Sequence, residues 1–168
     1  NVYRLSTTGA GATTGATGDY STISGGDQNI ASGDNSTVVG GLLNTSSGAS
    51  SVSGGSTCTA SGTAAVALGL SATASGNQSF ASGSGVTASG AASFAAGASS
   101  SATGDNSVAV GLFCTAGGDS SVAVGLNLSA AGDRSIALGA NTSAPRHGEM
   151  AQSSGNGNTD GFHAVDLY

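Results

Sequence analysis

The feature that most constrains this chain is a short glycine-bounded repeat. Reading from Gly18, the segments GDYSTISGG, GDNSTVVGG, GASSVSGG, GTAAVALG, GNQSFASG, GAASFAAG, GDNSVAVG, GDSSVAVG and GDRSIALG follow one another. Their first glycines are Gly18, Gly33, Gly48, Gly62, Gly76, Gly90, Gly104, Gly118 and Gly132, separated by two spacings of 15 residues and then six of 14. A second glycine recurs from Gly26 through Gly41 and Gly55 to Gly139 and cuts each unit in two. Both halves alternate residue by residue, as in Ser107-Val108-Ala109-Val110 and Cys114-Thr115-Ala116, which is the period of a strand and not of a helix. Glycine at the half boundaries supplies the positive φ or close approach that a tight turn needs. A fixed period of this kind overrides local propensity.

One strand-turn-strand-turn unit cannot bury a face alone, so neighbouring units must stack, each strand pairing in parallel with its equivalent in the next coil. The spacing therefore predicts an all-β fold, a parallel β-roll or β-solenoid of about nine 14–15-residue coils. At the ~4.8 Å spacing of paired strands, nine coils make a rod about 43 Å long. Residues 1–17 are expected as an N-terminal connecting segment, 18–144 as the solenoid, and 145–168, which begin at the only proline, as an aperiodic C-terminal cap or junction. Because it starts at Asn1 and not at Met, the chain is expected to be a processed or recombinant piece of something longer.

Alternation sorts the side chains into columns. With the larger apolar residues pointing inward, the first strand's core columns hold Val52, Val66, Phe80, Phe94, Val108, Val122 and Ile136, with Ile23 and Val38 before them, and then Leu68, Ala96, Val110, Val124 and Leu138. The first two units then carry their extra residue before the apolar position. Outside that strand lie the serines equivalent to Ser107 and the column Ala67, Ala81, Ala95, Ala109, Ala123 and Ala137. A flat, uncharged Ser/Ala surface along a rod is a natural assembly face. With so thin a core, this implies a closed, cyclic homo-oligomer.

From the second strand the inward columns are Cys58, Ala72, Val86, Ser100, Cys114 and Leu128, together with Ala60, Ala74, Ala88, Ala102, Ala116 and Ala130. Outside stand Thr45, Thr59, Thr73, Thr87, Ser101, Thr115 and Ser129, continued by Ser143 and flanked by Ser47, Ser61, Ser75, Ser89 and Thr103. These hydroxyl ladders are a candidate outward binding array, for ice or for sugar hydroxyls. The plainer reading is that Thr favours strands and keeps the face solvated. Cys58 and Cys114 share a column four coils apart, about 19 Å at the same strand spacing. A disulfide needs Cα atoms within about 7 Å, so both are expected as free, buried, small apolar fillers.

Composition removes other classes of function. Only 7% of residues are charged, the net charge is −6 and there is no lysine. No basic stripe exists to meet phosphates, so nucleic acid is not an expected partner. No apolar run has the length of a membrane span, so no membrane insertion by this segment is expected. Asp34, Asp105, Asp119, Asp133 and Arg134 fall at turns, where stacked carboxylates would accept hydrogen bonds from their own turns, or alternatively hold a cation. His147, His163, Glu149, Asp160 and Asp166 gather in the tail, where a polar loop is favoured over a metal or acid-base cluster. With no GxSxG, P-loop or HExxH motif, we expect no enzyme, no catalytic residue, no metal and no cofactor. The N-x-S/T patterns at Asn35, Asn44, Asn77, Asn127 and Asn141 are what a Ser/Thr-rich chain produces by chance.

Units such as GDNSVAVG, GDSSVAVG and GDRSIALG, with their Ala-containing second halves, resemble the head repeats of YadA-like trimeric autotransporter adhesins over residues 18–144. The resemblance implies left-handed winding and a homotrimer presented at a surface. Such repeats also occur in phage tail fibres and spikes, and PRHGEMAQSSGNG resembles, over residues 146–155, the entry to the self-cleaving intramolecular-chaperone domains of phage appendages. The expected function is therefore a trimeric fibrous attachment protein, a phage tail fibre or spike segment in the virion tail that binds a host cell-surface receptor, glycan or matrix protein. The alternatives are the head of a bacterial trimeric autotransporter adhesin at the outer membrane, a purely structural shaft, and an ice-binding solenoid.

Overall fold

The computed structural model of the chain describes residues 15–154. Over that span it is a parallel β-solenoid of about ten turns, all strand and turn. Each turn has a longer and a shorter strand. Typical are Val66–Leu70 with Thr73–Ala74, and Phe80–Ser84 with Thr87–Ala88. Two elements, Val108–Ala116 and Val122–Ala130, run through both halves of their turn without a break. Every strand pairs in parallel with its equivalent one turn on, giving an unbroken row Val66, Phe80, Phe94, Val108, Val122, Ile136 and Met150. From Val52 onward the expected columns are thus in register.

The facing of the longer strand is the reverse of that read from the sequence. Ser107 and Ala109 are buried, while Val108 and Val110 are half-exposed. The column proposed as the assembly face, Ala67, Ala81, Ala95, Ala109, Ala123 and Ala137, is wholly inside. The columns proposed as core, from Val52 and Val66 to Ile136 and from Leu68 to Leu138, face outward. A coil of 14 residues encloses so narrow a space that its inward positions accept only Ala, Ser and an occasional larger residue, and the larger side chains must go outside.

The exceptions, Ile23 and Val38, do point inward, because the first two coils differ in register. Thr22 pairs with Thr37 and Thr37 with Val52, so Val38 meets Ser53 and not Val52. The extra residue follows the apolar position, as a bulge between Val38 and Gly41 that leaves Val39 exposed. The stack also continues beyond the expected boundary at 144. Met150–Ser154 pairs with Ile136–Ala140 and forms a tenth turn, with Ala151 in the buried alanine column.

The shorter strand faces as read. Cys58, Ala72, Val86, Ser100, Cys114 and Leu128 are buried, as are the alanines from Ala60 to Ala130. Both cysteines are free. They are also more than filler. Cys58 Sγ donates to the Gly69 carbonyl at 3.2 Å and Cys114 Sγ to that of Gly125 at 3.1 Å, as Ser100 Oγ does to Gly111 at 3.0 Å. In the N-terminal coils the same column holds Asn29 and Asn44. Asn44 Nδ2 donates to Gly40, Gly55 and Asn29 Oδ1, and Asn44 Oδ1 accepts the Cys58 amide. This buried ladder serves the carbonyls beside the bulge, and a buried carbonyl without a donor is costly.

Both glycine columns are fixed by the closeness of successive coils. A Cβ at Gly104 would fall on the carbonyl oxygen of Gly118, and one at Gly111 (φ 131°) on that of Gly125. The positive φ of the first turn falls two residues after its glycine, at Asn106, Ser120 and Arg134 in the later coils.

Candidate functional site

The candidate sites are the two outer faces and the turns that join them. On the short-strand face Thr45, Thr59, Thr73, Thr87, Ser101, Thr115, Ser129 and Ser143 follow one another in register. Thr115 and Ser143 are exposed and the rest half-buried. Ser47, Ser61, Ser75, Ser89 and Thr103 beside them are exposed. Where the short strand is a separate element it is only two residues long, and in every coil the second file stands just after the strand's end. The array is regular, neutral and narrow.

The long-strand face is different. Its outward columns hold Val66, Phe80, Phe94, Val108, Val122 and Ile136, then Leu68, Val110, Val124 and Leu138, then Leu70, Leu112 and Leu126. Phe80 and Phe94 stack with centroids 5.1 Å apart and planes 6° from parallel. Phe94 and Val124 are each 38% exposed and Leu70 is 53% exposed. An apolar surface along the rod, interrupted at Ser82 and Ser84, is the mark of an interaction face. Hydrophobic period alone did not find it, because the alternation is the same whichever column is inside.

At the first turn the carboxylates stack, but their hydrogen bonds run between coils and not within their own turn. Asp105 Oδ1 accepts the Ala91 amide at 2.8 Å, Asp119 Oδ1 that of Asp105 at 3.0 Å, and Asp133 Oδ1 that of Asp119 at 3.1 Å. Asn77 and Asp34 take the same part for Thr63 and Asp19. Each carboxylate thereby ties its coil to the one before it, at a turn that is exposed.

At the C-terminal end, Glu149 Oε2 accepts the Arg146 amide at 2.9 Å and closes the turn that leads into Met150–Ser154, the strand of the tenth coil. His147 is exposed on that turn. His163, Asp160 and Asp166 lie outside the described residues, as does the segment before Gly15. Among the described residues no three His, Cys, Asp or Glu side chains lie close enough together to hold a metal ion, and no helix is long and apolar enough to cross a membrane.

At the second turn a smaller feature appears that sequence reading passed over. Phe113, Asn127 and Asn141 occupy one position in three successive coils and border an open groove beside Thr115, Ser129 and Ser143. Asn44 was likewise missed, although its distance from Gly41 is that of Cys58 from Gly55.

The sequence pattern of the YadA head domain repeat matches the chain over residues 26–42, 60–85, 88–113 and 116–142, more than half of its length. No curated protein matches it.

Proposed function

We propose, from the premise that the chain belongs to the YadA head domain repeat family, that it is a rigid segment of a homotrimeric, extracellular attachment fibre of the trimeric adhesin type. The observation that carries this reading is the apolar long-strand face. Three copies packed through it would remove Val, Phe, Ile and Leu side chains from water and leave the hydroxyl faces outside. The role is mechanical and adhesive, not catalytic: stacked coils hold a stiff rod, and three-fold repetition turns weak contacts into firm attachment to a cell-surface receptor, glycan or matrix protein.

A phage tail fibre or spike is the second reading, favoured by the likeness of residues 146–155 to phage appendage junctions. The tenth coil occupies most of that string, which gives it a structural duty in either owner. An ice-binding role for the Thr files has less in its favour, since a lone rod would leave the apolar face in water.

Light scattering tests the trimer. The expected mass is three times the 15.5 kDa of the chain, and a stable monomer would defeat the proposal. Adhesion of chain-coated beads to cell layers tests attachment, and beads that bind no better than uncoated ones would reduce the segment to a spacer.

A further inference from the structure

We infer that the second turn of the later coils, around Phe113, Asn127 and Asn141, is a binding site for a neutral saccharide; the inference rests on the attachment reading above and names the class of its ligand. Along this turn column the residues are Leu43, Thr57, Ser71, Gly85 and Ser99, and then Phe113, Asn127 and Asn141. All of them have positive φ. Asn adopts that conformation readily, whereas a bulky Phe does not. Phe113 has a φ of 56° and remains 54% exposed, so the ring takes a disfavoured backbone conformation without the return of burial. Burial within the single chain gives no reason for an aromatic residue here. A ligand does.

The surroundings say which ligand. Phe113 borders a groove of about 380 Å³, within the size range of small-molecule sites. Asn127 Nδ2 donates to Asn141 Oδ1 at 2.9 Å, which fixes both carboxamides and leaves Asn127 Oδ1 to accept and Asn141 Nδ2 to donate. The hydroxyls of Thr115, Ser129 and Ser143 supply groups that both donate and accept. None of the lining side chains is charged. A phosphate or carboxylate would find no cation, and a metal ion no carboxylate. A pyranose ring offers an apolar C–H face to stack on an aromatic ring, and a rim of hydroxyls for fixed amides. Three coils at about 4.8 Å spacing give a floor about 10 Å long, room for one or two sugar rings.

The test is a printed array of neutral glycans ending in glucose, galactose, mannose or N-acetylglucosamine, probed with the labelled full chain. Phe113→Asn extends the column's own Asn ladder and relieves the backbone, so it should melt no lower than the parent chain while lowering array binding at least tenfold. Phe113→Tyr should keep binding within about twofold. Equal binding by Phe113→Asn and the parent overturns the site. No array binding by the parent, with chain-coated beads still adhering to cells, overturns the saccharide and leaves attachment standing. Failure of both array and beads removes the two readings together.

Discussion

The two outer faces of this rod are built from the same alternation and differ in everything else. The short-strand face presents one hydroxyl per coil over a buried alanine, and the long-strand face presents Val, Phe, Ile and Leu over a buried alanine. Hydrophobicity reads the first correctly and the second backwards. In the long strands of the 14-residue coils, what separates inside from outside is constancy of size. From Ala67 onward the inward column is Ala67, Ala81, Ala95, Ala109, Ala123, Ala137 and Ala151, because the coils above and below fix the available volume, whereas Ile23, Val38 and Ser53 hold the same column in the earlier coils. The outward column runs Val66, Phe80, Phe94, Val108, Val122, Ile136 and Met150 and changes size freely.

The sharpest way to break this contrast is to make one substitution at adjacent positions. Ala109→Leu forces a large side chain into the closed interior and should lower stability by about 3 kcal/mol, whereas Val108→Leu should stay within about 0.5 kcal/mol. Urea melts of the two variants decide it, and equal losses would return Val108 to the core. Next in size is assembly. Val108→Glu with Val122→Glu should weaken association of the proposed trimer at least about 100-fold, or about 2.7 kcal/mol, with circular dichroism of strand unchanged. The paired control Thr73→Glu with Thr87→Glu on the opposite face should leave the mass in light scattering unaltered.

The interior column of the short strand offers finer comparisons. Asn44→Ala leaves the Cys58 amide and the Gly40 and Gly55 carbonyls without their partner, and should lower stability by about 2 kcal/mol. A much smaller loss, measured by thermal melting, would mean that the bulged coils adjust around it. Smallest is Ser121→Ala. The Ser121 hydroxyl is buried without a hydrogen-bond partner, and Ala65 already fills the same column. The change should raise stability by about 1 kcal/mol, and a loss in the same melt would show that the hydroxyl has a partner after all.

Much of the architecture was legible because glycine marks it twice per coil. The spacing of Gly104 and Gly111 gave strand direction, coil length and register, and each is needed where a neighbouring carbonyl leaves no room for a Cβ. Three things were not legible. Parity within the long strand was hidden because both outcomes satisfy the same alternation. The bulge after Val38 was hidden because a spacing of 15 says that a residue is added and not where. The tenth coil was hidden because Pro145, Arg146, His147 and Glu149 replace the usual turn residues, although Met150-Ala151 keeps the apolar-small order. Of the candidate sites, the Thr file was evident from period alone. The Phe113 groove was not, since it depends on three different residues standing one above another at a turn.

The hydrogen bonds that join coil to coil point along the length of the rod. Tension applied at its ends therefore loads all the bonds of one coil boundary side by side, and that boundary resists until it fails as a unit. Each failure would free one coil of 14 residues, about 48 Å of slack at roughly 3.4 Å per residue. In the proposed fibre, pulling by flow would lengthen the rod in discrete steps and so dissipate force.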